Sequence, residues 1–148
     1  VFRGNSFHTV DPKGRLVIPA RFRDVIHAVG GNGVMLTTLE KGLYAYTFEQ
    51  WNKIEAKVLS LAETSTSMRR FKRFFIGGAH QCMCDKQSRI LIPQSLREDA
   101  QLEKDIVLAG LLDHFEIWSR ENWEKEKQQM KADMQQGTVG AEIAALGL

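Results

Sequence analysis

The sequence predicts an α+β fold made of two copies of one unit, each a small β-rich body followed by a longer helix. Three observations predict it. The stretch Asp11–Arg23 returns in altered form as Asp85–Arg97, with an Asp, an Arg four later, three apolar residues, a Pro and a closing Arg all repeated 74 positions on. A hairpin pattern followed by a tryptophan-bearing helix also occurs twice, with Trp123 standing 72 positions after Trp51. The chain has 148 residues and is 43% hydrophobic, enough for a real core without disulfide staples. An internal repeat decides architecture before any local reading does. It divides the chain into residues 1–74, a first half with a linker helix, and residues 75–148, a second half with a C-terminal helix.

The elements follow in order. Phe2-Arg3-Gly4 and the polar residues after them read as an extended strand leading into a turn. Asp11-Pro12-Lys13-Gly14 has the residues of a type I turn, and a Gly in the left-handed region then closes the usual three-residue hairpin loop. Arg15 therefore starts the returning strand at a loop tip. Leu16-Val17-Ile18 reads as a short buried strand, ended by Pro19, which suits the first turn of a helix. Phe22, Val25, Ile26 and Val29 then share one helical face. Gly30-Gly31-Asn32-Gly33 is a connection; no Gly-Lys-Ser/Thr follows, so it is not a phosphate cradle.

Val34–Thr38 and Leu43–Tyr46 form a hairpin about the Glu40-Lys41-Gly42 turn. Thr47 caps the next helix, with Gln50 placed for a capping box, and Phe48, Trp51, Ile54, Val58 and Leu61 mark its buried face. Thr64-Ser65-Thr66-Ser67 is a polar break. In the segment 68–75, Met68, Phe71 and Phe75 share a helical face while Arg69, Arg70, Lys72 and Arg73 take the rest. A docked helix with a solvated basic side, a nucleic-acid contact and a membrane-surface helix all fit that pattern.

Gly77-Gly78 opens the second copy. There Ser88 stands where Gly14 stood and Lys86 replaces Pro12. A non-Gly residue in the left-handed region costs roughly 1–2 kcal/mol, so either this turn changes shape or tertiary contacts offset the cost. Ile106–Leu108 and Phe115–Trp118 form the second hairpin, and Ser119 caps the last long helix. The tail is charged through Asp133, carries Met130 and Met134 as a thin apolar stripe, and is broken at Gly137 and Gly140 before Ala141–Leu146.

Charge is uneven. The net charge of +2 resolves into 12 Lys/Arg against 6 Asp/Glu in residues 1–74, and 8 against 12 in residues 75–148. A basic face that meets a polyanion is one reading, and scattered solvated charge is the other. Cys82 and Cys84 are the only cysteines and lie too close together for an ordinary bridge, which fits a reducing compartment. No run of 18 apolar residues and no signal pattern at the start points to a membrane, so the expectation is a cytoplasmic protein.

Catalytic patterns are missing: there is no Gly-x-Ser-x-Gly, no His-Glu-x-x-His and no phosphate loop, so no enzyme and no cofactor is expected. His80, Cys82 and Cys84 alternate, so on a strand they share a face; they could offer a metal three ligands, but a fourth is not evident and buried Cys is more often a small hydrophobe. The stronger candidates are Arg15 and Arg89. Each stands four residues after an Asp, Asp11 or Asp85, that can hold its guanidinium while the remaining donors face out. A guanidinium fork matches two phosphate oxygens or the O6/N7 edge of guanine. Lys13, Arg21, Arg23, Lys86 and Arg97 would surround the pair with phosphate contacts.

Phe2-Arg3-Gly4 and the twin Asp-x-x-x-Arg segments, each ending in Ile-Pro (Ile18-Pro19 and Ile92-Pro93), closely resemble the bacterial MraZ proteins, of the AbrB-like swapped-hairpin superfamily. The resemblance covers nearly the whole chain, Trp51 and Trp123 included. It implies two AbrB-like halves interlocked as a pseudo-dimeric β-barrel flanked by helices, homo-oligomeric rings, and a nucleoid-associated transcriptional regulator. It further implies binding to repeated boxes of double-stranded DNA upstream of the division and cell-wall gene cluster, with Asp11, Arg15, Asp85 and Arg89 as the contacting motif. Ser88 departs from the Gly that usually precedes the Arg. A modest net charge fits such a ring, because many weak contacts on repeated sites add through effective concentration. The alternative is an antitoxin-like interaction module whose Arg-bearing turns meet acidic protein surfaces.

Overall fold

The first strand of each half leaves its own half to pair in the other. The computed structural model describes residues 1–61 and 65–148. Its first half runs β1 (Phe2–Thr9), β2 (Arg15–Val17), α1 (Ala20–Ala28), β3 (Gly33–Leu39), β4 (Gly42–Tyr46) and α2 (Phe48–Ser60), followed by α3 (Thr66–Phe75). The second half repeats the order as β5 (His80–Met83), β6 (Arg89–Leu91), α4 (Gln94–Asp99), β7 (Asp105–Leu112), β8 (Phe115–Ser119), α5 (Arg120–Gln136) and the short α6 (Gly140–Ala145).

Six strands form one antiparallel sheet in the order β1-β7-β8-β4-β3-β5, which reads the same from either end when the halves are exchanged. β1 pairs with β7, from Phe2 opposite Leu112 to Thr9 opposite Asp105, and β5 pairs with β3. At the centre Tyr44 lies opposite Glu116, and in a separate two-stranded ribbon Leu16 lies opposite Ile90. Both pairs join residues that correspond in the repeat, so one pseudo-two-fold axis runs through them. Val34, Leu36, Leu43 and Ala45 and their counterparts Ile106, Leu108, Phe115 and Ile117 face Leu16, Ile18, Ile90 and Ile92 of the ribbon and Phe22, Ile26 and Leu96 of α1 and α4. Phe2, Phe22 and Phe115 meet there with ring centroids 4.8–5.3 Å apart.

The other face of the sheet carries a second core. Tyr46, Trp51 and Phe75 are buried there with Met35, Leu39, Ile54 and Phe71 around them. The Thr37 hydroxyl donates to the carbonyl of Phe75 at 2.5 Å and pins the end of α3. Close by, the His114 ring stacks on Tyr44 and Tyr46, bonds Asp113 at 2.7 Å and lies 3.6 Å from Glu116, too far for a hydrogen bond but near enough for charge attraction. Glu116 in turn accepts from the Trp118 indole at 3.0 Å.

Several expectations change. Among the described residues no sheet closes into a barrel: β2 and β6 pair with each other rather than with β1 and β5, so the six-stranded sheet stays open at those two edges. For the same reason the Asp11 turn is not a hairpin within one half, although its loop closes as expected. Val17 is 51% exposed and Leu91 56%, because the ribbon buries only Leu16 and Ile90 between them. Val29 ends α1 as an exposed cap, and of the α2 face only Trp51 is fully buried, Leu61 being an exposed cap. Thr47 and Ser119 cap their helices by accepting from Gln50 N and Asn122 N. In the expected polar break, Ser65 caps α3, Thr66 and Ser67 lie inside it, and Thr64 falls outside the described residues. Gly137 ends α5 in the left-handed region, whereas Gly140 begins α6 rather than breaking it.

Candidate nucleic-acid interface

Each arginine is built into its turn by the Asp four residues earlier. In the first half the loop closes through Gly14 N to Asp11 O and Asp11 N to Arg15 O. The Asp11 carboxylate accepts from the backbone N–H of Lys13 and of Arg15 through one oxygen, and from Arg15 Nε at 2.7 Å through the other. The second half repeats every bond: Asp85 accepts from the N–H of Gln87 and Arg89 and from Arg89 Nε at 2.9 Å. The backbone N–H of each arginine, more than its side chain, holds the Asp carboxyl below its ordinary pKa. Exposed ion pairs of this kind add little stability; their effect is to fix the guanidinium plane.

Ser88 keeps the shape of the Gly14 turn, with φ of 61° against 91°. The contacts of Asp85 therefore offset the left-handed cost rather than reshaping the loop. Gly14 has a second reason to lack a side chain, since a Cβ there would sit 2.6 Å from the Arg97 guanidinium carbon.

The ribbon brings the two arginines together. Arg15 lies opposite Leu91 and Arg89 opposite Val17, while Leu16 and Ile90 between them face the core. Arg15 and Arg89 thus point from one outer face, at diagonal positions roughly 8 Å apart along the backbone by strand geometry. Their side chains are 33% and 25% exposed. The face they share is completed by Val17 and Leu91, which the run of three apolar residues disguised as core; the alternation around Pro-terminated three-residue strands was the available signal.

The two sites are not equal. Arg15 has its Nε on Asp11, and among the described residues neither terminal nitrogen has a partner. Arg89 also gives Nη2 to Gln87 Oε1 at 2.6 Å, which leaves it fewer outward donors. Lys13 and Lys86 stand exposed at the turn tips. Arg97 is half-buried against Gly14 and donates Nε to Ile92 O, and Arg23 is half-buried near Cys84. Arg21 does not join the group: it reaches β1 instead, donating to Ser6 Oγ at 2.7 Å and Arg3 O at 3.2 Å.

The basic helix α3 packs on the other side of the sheet, against Trp51 and Tyr46. Its arginines are therefore separated from the ribbon by the sheet. The alternating His80, Cys82 and Cys84 do not converge either: Cys82 is buried, burial pushes its thiol up to about 11, and the exposed His80 ring turns to Gly78 O. Among the described residues no group of three or more His, Cys, Asp or Glu is placed to hold a metal. No described helix is long and apolar enough to cross a membrane.

The fold and the site together define a class, a fused two-copy α+β protein whose halves trade strands and present twin Asp-held arginines on a shared ribbon. Comparison with known proteins gives that class a family. The family described as "MraZ protein, putative antitoxin-like" matches residues 1–74 and again residues 75–139. The chain is 59% identical to the transcriptional regulator MraZ of Desulforapulum autotrophicum and 56% identical to that of Desulfosudis oleivorans, each over the full length of both proteins. It is 46% identical to the transcriptional regulator MraZ of Thermoanaerobacter sp. strain X514 over 82% of this chain and 83% of that one. The chain belongs to the MraZ family.

Proposed function

We propose that this chain is a sequence-specific DNA-binding regulator of transcription that acts on repeated boxes upstream of the division and cell-wall gene cluster. The two halves, 1–74 and 75–148, work as one interlocked unit, and several chains associate into a ring within the nucleoid. The observation that carries the reading is the outer face of the ribbon, where Arg15 and Arg89 project side by side from Asp-anchored turns. Their forks suit guanine edges or paired phosphate oxygens, and the exposed Val17 and Leu91 suit thymine methyl groups. Lys13, Lys86, Arg23 and Arg97 supply backbone contacts that position the protein without reading sequence. Relatives named as transcriptional regulators support this reading. The test is footprinting on DNA upstream of the protein's own gene: protection of a short repeated box, abolished by Arg15→Ala with Arg89→Ala, is expected, and no protection by the native protein at moderate salt overturns it.

One observation favours a second reading. An apolar pair set between two arginines also fits an acidic, partly apolar protein surface. A stoichiometric protein partner lost with the same two substitutions, together with no DNA shift, is the result that would select an antitoxin-like module.

A further inference from the structure

One strongly charged strip has no part in the ribbon interface. α3 carries Arg69, Arg70, Lys72 and Arg73 and no acidic residue. After Lys131 the second half has no Lys or Arg at all, so the duplicated fold does not require such a strip. α3 docks through Phe71 and Phe75, which fill the outer core against Trp51 and Tyr46. Arg69, Arg70 and Arg73 are left exposed. Arg69 gives Nη2 to the Thr66 hydroxyl at 3.1 Å, whereas Arg70 and Arg73 make no hydrogen bond or ion pair among the described residues.

An aromatic ring stands beside these cations. Phe74 is 61% exposed, although Phe75 next to it is buried. Ser67, Arg70, Phe71 and Phe74 follow at i, i+3, i+4 and i+7 and form one stripe along the helix. That stripe faces the turn between β3 and β4. Between them runs a cleft of about 420 Å³, walled by Phe71 and Phe74 on the helix and by Leu39 and Glu40 on the turn, with Arg70 beside Phe74.

This combination fits one class of polyanion. Phosphates pair with Arg70 and Arg73, and a flat unpaired base covers the Phe74 ring. A duplex satisfies the charges but leaves the ring bare, because its bases are stacked on one another. A bilayer is a poorer match: the apolar face of α3 is already buried on Trp51 and cannot also lie in lipid. Glu40, on the turn side of the cleft, repels phosphate from it and leaves the space to a base. We infer that α3 and the β3–β4 turn form a binding site for single-stranded nucleic acid, with Phe74 as the stacking platform and Arg70 and Arg73 as the phosphate contacts. The sheet separates this site from Arg15 and Arg89, so it works whether or not the ribbon reads a promoter box.

The test uses the full chain carrying Arg15→Ala and Arg89→Ala, which silence the ribbon. The probes are short fluorescein-labelled oligothymidylate, oligouridylate and a DNA duplex of equal length. Anisotropy should show the single strands bound at least ten-fold more tightly than the duplex. A tighter ribo strand assigns the site to RNA and a tighter deoxy strand to unpaired DNA; both support it. In the same background Phe74→Ala should weaken single-strand binding by roughly ten-fold with its salt dependence unchanged. Arg70→Ala and Arg73→Ala should each weaken it and also reduce the slope of log affinity against log salt by roughly 0.7, the share of one phosphate. Because Phe74 is exposed, far-ultraviolet dichroism and thermal midpoint should stay those of the parent. Single-strand binding that disappears with Arg15 and Arg89, an affinity indifferent to Phe74→Ala, or a preference for the duplex or for phosphatidylglycerol vesicles over the single strands would overturn the assignment.

Discussion

Truncating the two arginines one at a time should reveal unequal grips. Arg15 keeps both terminal nitrogens available because only its Nε is bound, to Asp11. Arg89 has committed Nη2 to Gln87 as well as Nε to Asp85. A bidentate guanine contact contributes about 1–3 kcal/mol of discrimination, and a contact with one donor already engaged belongs at the lower end. Arg15→Ala should therefore weaken binding to the promoter box by about 2–3 kcal/mol, or roughly 30- to 150-fold, and Arg89→Ala by about 1 kcal/mol, or roughly five-fold. Arg15→Lys keeps the charge but loses the fork, so its loss should fall mostly on the specific box and little on unrelated DNA. The assay is fluorescence anisotropy on the box and on a scrambled duplex at two salt concentrations. Removing Gln87 should narrow the gap by freeing Nη2, so Gln87→Ala is the internal control. Equal losses at both arginines, or a loss equal on specific and scrambled DNA for all variants, would refute the idea that the bound geometry sets the contribution of each side chain.

Other outcomes follow from the same geometry. Ser88→Gly relieves a left-handed Ser at φ 61° and should raise stability by about 1 kcal/mol in urea unfolding, whereas Gly14→Ala, with the Arg97 guanidinium in the way, should lower it by at least as much. Leu16→Ala opens a cavity on the pseudo-two-fold axis and should cost about 2–5 kcal/mol, read as a lower denaturant midpoint at unchanged slope. Burial alone would lower the pKa of His114, but Glu116 and Asp113 outweigh it and leave it above the ordinary 6.5. Its charged form therefore stabilises the fold fully below that value, and the benefit disappears as pH rises through the higher folded-state value. The difference in thermal midpoint between the native protein and His114→Gln should thus be larger at pH 5.5 than at pH 8.5; taking the difference removes the opposite contribution of His8, whose pKa burial and Arg21 lower. A difference independent of pH would show that His114 acts only through its stacking on Tyr44 and Tyr46.

The duplication was legible because it preserves chemistry as well as spacing: the offsets of 74 and 72 that align Asp11 with Asp85 and Trp51 with Trp123 are the same offsets that the strand registers obey. Turn chemistry was legible too, since Asp, Gly and the capping hydroxyls act through bonds only a few residues long. That the halves interlock was implied only by the family resemblance; residue patterning did not show which half each strand serves. β1 carries His8, Asn5 and Arg3 among apolar residues and gives no sign that its partner lies a hundred positions away in β7. Hydrophobicity overstated burial at Val17 and Leu91, because a three-residue strand has room for only one inward residue between two outward ones. The Gln87 clamp on Arg89 and the displacement of Arg21 to β1 depend on side-chain reach, which spacing along the chain does not encode.

Fusion of the halves has a consequence for what such a protein could recognise. A homodimer is condemned to change both of its grips whenever it changes one, and so favours palindromes. Here Gly14 could become Ser88 on one side only, and a glutamine could settle beside one arginine and leave the other alone. The chain is free to evolve left and right separately, and a binding box for it need have no mirror in its letters.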